Sequence, residues 1–198
     1  KLVFILLFTI MLPLFIKCHY VLELWLKIVP DYSVSFIRIL LVQTLIVSMW
    51  TPVFISGIAT GNLKTFGVIT SILNVLQIAV CYVILTIGGS PVETIFSLAL
   101  WEIFAYSIQF FTLKKLIEFH FLQYAKKVLL KSVFVVAFAG VPALFFGNNL
   151  SDTFLHLVYT CLVACSLSLI VSFIILLDKS EKQFVLAKLF KRHNYEVN

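Results

Sequence analysis

Charge is what this sequence has least of. Of its 198 residues 12% are charged, about half the roughly 25% of a soluble domain, and that shortage excludes a water-facing shell around a single core. Acidic residues are the scarcer sign, nine Asp and Glu against 15 Lys and Arg. They stand singly and not at a shared depth, so no acid and base pair is built. The histidines His19, His120, His156 and His193 are scattered, and there is no HExxH, nucleophile elbow or glycine-rich phosphate loop. Cys18, Cys81, Cys161 and Cys165 lack CxxC spacing and accompanying histidines, which reads as small packing residues and not as a metal or disulfide framework. No catalytic residue, metal site or cofactor is therefore assigned. Low-complexity tracts, short-period repeats and a linker that would divide the chain are missing as well.

What is present is apolar length, with 62% hydrophobic side chains and a mean hydropathy of +1.09. Apolar segments run over residues 2–16, 33–57, 66–88, 94–113, 128–147 and 153–177. Most approach or exceed the roughly 20 residues that a helix needs to cross about 30 Å of hydrocarbon. They predict an all-α, polytopic membrane helix bundle of about six transmembrane helices over residues 1–177, followed by a basic amphipathic tail, 178–198. Lys1 opens directly on an apolar run without a signal-peptide cleavage pattern. The chain is accordingly expected to be part of a longer one.

The net charge of +6 would suit nucleic acid, but its distribution argues otherwise. With six spans, Lys1, Lys64, the segment 114–131 and the tail share one side and hold 12 of the 15 Lys and Arg, leaving Lys17, Lys27 and Arg38 opposite. The positive-inside rule puts the rich side, and both ends of the chain, in the cytoplasm. Anionic membrane lipid is the expected partner of these lysines, and nucleic acid is not. In LKKLIEFHFLQYAKKVLLK, apolar Leu116, Phe119, Leu122 and Val128 alternate with lysines as in a headgroup-level helix. The tail starts on Asp178 and Glu181, a capping-box-like pair, ahead of Phe184, Val185, Leu189 and Phe190 at helical spacing.

Ionisable groups inside a span cost roughly 2.5–3.5 kcal/mol at the bilayer centre unless they face protein or water. Arg38 and Glu102 are the two that qualify, about 8 and 13 Å deep at 1.5 Å per residue. An ion pair between them across the second and fourth spans is one reading, and snorkelling of Arg38 to the headgroups is another. The third span carries a stripe of Gly67, Thr70, Asn74, Gln77 and Cys81, and the fourth one of Glu102, Ala105, Gln109 and Thr112. Asn74 and Gln77, nearly one turn apart, line a wet cavity or bond a neighbouring helix. For Cys161, Cys165, Ser168 and Ser172 in the sixth span, close packing is the reading. Pro52 frees the Ser48 carbonyl and bends the second span, and Gly57 and Gly61 in GIATG admit a neighbouring backbone. These residues, with Pro142 in the fifth span, are candidate hinges.

The segment VLELWLKIVPDYSVSFIRILLVQ followed by TPVFISGIATGNLKTF resembles the C-terminal half of bacterial oligosaccharide flippases of the multidrug/oligolipid/polysaccharide exporter superfamily, in particular the O-antigen and capsule exporters. The family's LWLG-like stretch, VPxY element and ATGxxK turn occur here in order, with Lys27 in place of the usual glycine. LKKLIEFHFLQYAKKVLL and LLDKSEKQF are similar to its late basic link and C-terminal exit. The resemblance implies one lobe of a two-lobe transporter in the bacterial cytoplasmic membrane. Such transporters flip polyprenyl-pyrophosphate-linked oligosaccharide for polysaccharide biosynthesis and are completed by an N-terminal lobe of the same chain. Burial and polarity, and not the family's motif, make Arg38, Asn74, Gln77, Glu102 and Gln109 the substrate-binding candidates, with Arg38 offered to the pyrophosphate. A drug or metabolite exporter of the same superfamily, a membrane-embedded glycosyl- or acyltransferase, and a purely structural subunit stay open beside it.

Overall fold

A computed structural model describes residues 1–59, 63–116, 121–183 and 187 of the chain, and all regular structure among them is helical. In order these are α1 (Leu2–Ile16), α2 (Cys18–Leu26), α3 (Ser33–Ala59), α4 (Leu63–Thr86), α5 (Pro91–Leu116), α6 (Phe121–Tyr124), α7 (Leu130–Val135), α8 (Val141–Asn148) and α9 (Phe154–Ile175). Two π-helical turns, Ala125–Leu129 and Val136–Gly140, carry the chain through α7 into α8, so that Ala125–Gly147 reads as one 23-residue span. Among the described residues, five helical stretches are long and apolar enough to cross a membrane, and α1 with α2 makes a sixth if that bent pair is counted as one. The chain is a multi-pass membrane protein.

Most segment boundaries follow the hydropathy, with two departures that have local causes. Residues 17–32, expected as a connection, contain α2, which turns 75° from α1. Cys18 and Leu22, four apart, are its buried face, whereas Trp25 and Ile28 are more than four-fifths exposed. Lys27 ends it at φ 61°, a left-handed backbone value that glycine adopts freely and lysine does not. The fourth span starts at Pro91, earlier than the apolar run at 94, because SPVE is a capping box. Ser90 N–H donates to Glu93 Oε2 at 2.8 Å, Glu93 N–H donates to Ser90 Oγ at 3.3 Å, and Pro91 lacks the N–H that a first turn leaves unpaired.

The helices sort into two bundles. In the first, α1 packs along α9 and against α8, and α9 packs on α7 and α8, around Phe4, Phe8, Leu12, Ile16, Val135, Ala139 and Leu176. The small face of α9 that touches this core is Thr160, Ala164, Ser168 and Ser172, all buried. Close packing is thus the role of that face, but its row begins at Thr160 and not at Cys161, and both cysteines are half-buried. Pro13, inside α1, has no N–H for the Thr9 carbonyl. The Cys165 thiol donates to that carbonyl at 3.5 Å, and the Ser168 hydroxyl reaches Thr9 Oγ1 at 3.0 Å.

Ion pairs fasten both ends of the first bundle. At one end Lys17, almost fully buried, donates to Asp152 Oδ1 at 2.9 Å and to the Leu150 carbonyl at 2.8 Å. At the other, Asp178 accepts from Lys1 at 2.7 Å and from Lys131 at 2.6 Å, and Lys1 also reaches Glu181. The Asp178 N–H donates to Glu181 Oε2 at 2.8 Å, the arrangement expected of the capping pair. The later part of the tail, with Phe184, Val185, Leu189 and Phe190, lies outside the described residues, as does Phe119 of the basic link.

The second bundle is α3, α4 and α5, with Trp50, Val53, Phe66 and Phe110 at its centre. The two bundles meet along α1 and α3, and the Tyr124 hydroxyl just before the first π turn donates to the Met49 carbonyl of α3.

Candidate functional site

A polar recess of about 220 Å³ opens between α3, α4 and α5. Its position follows from helical spacing. Thr70, Asn74 and Gln77 recur at four and three residues on α4, and Glu102, Tyr106 and Gln109 do so on α5, so each helix turns one polar edge to the same seam. Trp50, Thr51 and Phe54 of α3 close the third side, and Trp101 flanks the mouth. Gln77 and Glu102 both lie near the middle of their spans.

The walls are fixed by hydrogen bonds from two indoles. Trp50 Nε1 donates to Gln109 Oε1 at 3.1 Å, a buried contact that ties α3 to α5, and Trp101 Nε1 donates to the Leu73 carbonyl of α4 at 3.1 Å. Trp50 also stacks on Tyr106 with ring centroids 5.3 Å apart. Glu102 has no such partner for one oxygen. Its Oε2 is buried without a hydrogen bond, while the Tyr106 phenol lies beside the carboxyl one turn along. Asn74, on the open side, is exposed, and Gln77 is half-buried.

The recess therefore gathers Asn74, Gln77, Glu102 and Gln109 and leaves Arg38 out. Arg38 Nε donates to the Phe15 carbonyl at 3.3 Å, and its guanidinium sits 5.5 Å from the Phe15 ring centroid. The ion pair between Arg38 and Glu102 is not formed. The α1 helix ends beside Arg38, and its last-turn carbonyls carry partial negative charge that attracts a cation. The contact ties α3 to α1 and keeps Arg38 out of the recess.

Of the candidate hinges, Pro52 lies inside a continuous α3, between the Trp50 and Phe54 walls, and Gly57 is buried further along. Gly61 lies outside the described residues. Pro142 is the second residue of α8, directly after a π turn. The extra residue of a π turn widens the helix where a proline ring would press on the preceding carbonyls.

A second, larger cavity of about 490 Å³ lies between the bundles, walled by Phe8 and Leu12 of α1, Leu45 and Met49 of α3, and Val136 and Gly140 of the second π turn. Its lining is almost wholly apolar. Among the described residues no three His, Cys, Asp or Glu side chains gather where a metal ion would be held. Outside the spans, hydrogen bonds from Lys1 and then Lys131 hold the Asp178 carboxyl at about 2, below its ordinary 3.8.

Sequence reasoning missed the aromatic half of the recess. Trp50 and Trp101 were legible in principle, since an indole N–H inside an apolar span needs an acceptor. The acceptors, an amide 59 residues away and a carbonyl 28 residues away, carry no local signature. No family model, curated protein or solved structure matches the chain.

Proposed function

We propose that this chain is the C-terminal lobe of a bacterial exporter that flips polyprenyl-pyrophosphate-linked oligosaccharide across the cytoplasmic membrane for O-antigen or capsule synthesis. The observation that carries the reading is the recess, a seam of amides, a carboxyl group and aromatic faces halfway through an otherwise apolar bundle. Amides and carboxylates exchange hydrogen bonds with hydroxyl groups, and aromatic rings stack on the apolar faces of sugars. At about 220 Å³ the recess is smaller than the roughly 300–1,000 Å³ of drug-sized pockets, which fits one sugar unit at a time. The motif order from LWL to ATGNLK supports the same family, and the distribution of lysines supports cytoplasmic ends. The other half of the cavity belongs to an N-terminal lobe of the same chain, and anionic lipid holds the basic face.

The test is export by the full-length protein carrying Asn74→Ala with Gln77→Ala. Loss of two amides from a substrate contact lowers export about tenfold or more, with lipid-linked oligosaccharide accumulating inside the cell. Unchanged export sinks the reading. A drug or metabolite exporter is favoured by one specific observation, the apolar cavity of about 490 Å³, whose size lies within the drug range. That reading predicts altered resistance from Leu45→Trp and no saccharide accumulation.

A further inference from the structure

We infer that Glu102 makes the recess selective for uncharged or amino-bearing sugars and excludes acidic ones such as uronates, so that the pyrophosphate is held elsewhere. This rests on the recess being a saccharide site. The recess walls carry one formal charge, Glu102, and no Lys, Arg or His among its lining residues. Arg38 is engaged at Phe15. An anionic sugar or phosphate entering the recess would meet a carboxylate with no opposing cation among these lining residues, in surroundings where charges are screened far less than in water.

The hydrogen-bond inventory points the same way. Gln109 Oε1 already accepts from the Trp50 indole, and the Leu73 carbonyl accepts from the Trp101 indole. Glu102 Oε2 accepts from nothing. A buried acceptor without a donor is costly, so a ligand that brings a donor to this oxygen, beyond the Tyr106 phenol already beside the carboxyl, is favoured. The terminal torsion of a glutamate is soft, and either oxygen turns to the opening between α4 and α5. Sugar hydroxyls, ammonium groups and acetamido N–H groups are donors of the right kind. Asn74 and Gln77 add donors and acceptors on the opposite wall, and Trp50 and Tyr106 form a stacked aromatic surface beside them.

Two of this chain's three tryptophans line the recess, and the third, Trp25, is more than four-fifths exposed on α2, so fluorescence quenching that Trp50→Phe diminishes reports the recess. Full-length protein carrying Trp25→Phe is placed in lipid nanodiscs and titrated with N-acetylglucosamine and with glucuronate. The expected result is saturable quenching by N-acetylglucosamine, with glucuronate at least about tenfold weaker. Glu102→Gln brings the two within about twofold, and Gln77→Glu, a second carboxyl on the facing helix, widens the gap. The Gln77→Glu arm decides the matter if Glu102→Gln fails to fold. Equal binding of both sugars by the parent protein, or tighter glucuronate, overturns the selectivity and leaves the saccharide reading standing. Quenching by neither sugar overturns both.

Discussion

The two bundles are built from the same apolar alphabet and pack in opposite ways. The α1, α7, α8 and α9 bundle buries Val135, Ala139, Leu176, Ser132, Ser168 and Ser172 completely, and ion pairs hold each of its ends. In the α3, α4 and α5 bundle the core is four residues, three of them aromatic, and α4 buries only Phe66 and Leu73 among its described side chains. Small residues let backbones approach, and in a bilayer that approach replaces the hydrophobic driving force available in water. Large aromatics hold helices apart and leave a seam. The polar groups follow that division. Cys165 and Ser168 of α9 bond Thr9 of α1, whereas the polar edges of α4 and α5 line an opening.

The comparison is broken most readily by filling space. A Cβ placed on Gly147 of the first bundle would lie 2.4 Å from Ile16 Cγ2 and 3.2 Å from Thr160 Cγ2, while at Gly67 of α4 it would meet nothing within 4 Å. Both neighbours of Gly147 are β-branched and stiff. Gly147→Val should cost about 3 kcal/mol in detergent unfolding through overpacking, and Gly67→Ala should stabilise by up to about 1 kcal/mol through helix propensity. Equal effects at the two sites would dissolve the distinction between the bundles.

The next effect is an asymmetry within one ion pair. Lys17 is nearly buried, but more than half of the Asp152 side chain is exposed. Asp152→Asn strands a buried ammonium beside the Leu150 carbonyl and should cost about 2 kcal/mol, less than the 3–5 of a wholly buried pair. Lys17→Met leaves a carboxylate in water and should cost about 1 kcal/mol or less. Chemical denaturation of both variants checks the order, which reverses if the pair is not as wet on one side as described.

In the second bundle, Trp50→Phe keeps the stacked ring and removes the donor to buried Gln109. A loss of about 1–2 kcal/mol follows from the orphaned amide oxygen. Trp50→Phe combined with Gln109→Leu should recover part of it, since an apolar pair of similar shape leaves nothing unsatisfied. The smallest effect is in the acid limb. Folding lowers the Asp178 carboxyl from 3.8 to about 2 through Lys1 and Lys131, so its contribution is fully present above pH 4 and is lost as pH falls through about 2. Acid unfolding of Asp178→Asn should lack that step, and a parent curve of the same shape would show that the pairs contribute nothing.

Much of the site was legible before any folding, because a helix fixes which residues share an edge. The spacing of Thr70, Asn74 and Gln77, and of Glu102 and Gln109, sufficed to place each set on one line. It left open which lines face each other, so that Arg38 was offered to Glu102 although α1 claims it. The α2 helix was read as a connection for a related reason. Nine residues are too few to register as a span, and its bend depends on packing Cys18 and Leu22 against neighbours.

By itself the sequence determined the membrane as solvent, the number and limits of most apolar helices, and the polar edge of each. These are properties summed along a stretch of chain, and an apolar helix in lipid satisfies its own backbone whatever its neighbours do. The tertiary structure decided which edges meet, that small residues close one bundle while aromatics prop open the other, and where each buried charge finds its partner. Such choices turn on helix rotation and on contacts between residues far apart in the chain, from Trp50 with Gln109 to Lys1 with Asp178, and hydropathy holds no record of them.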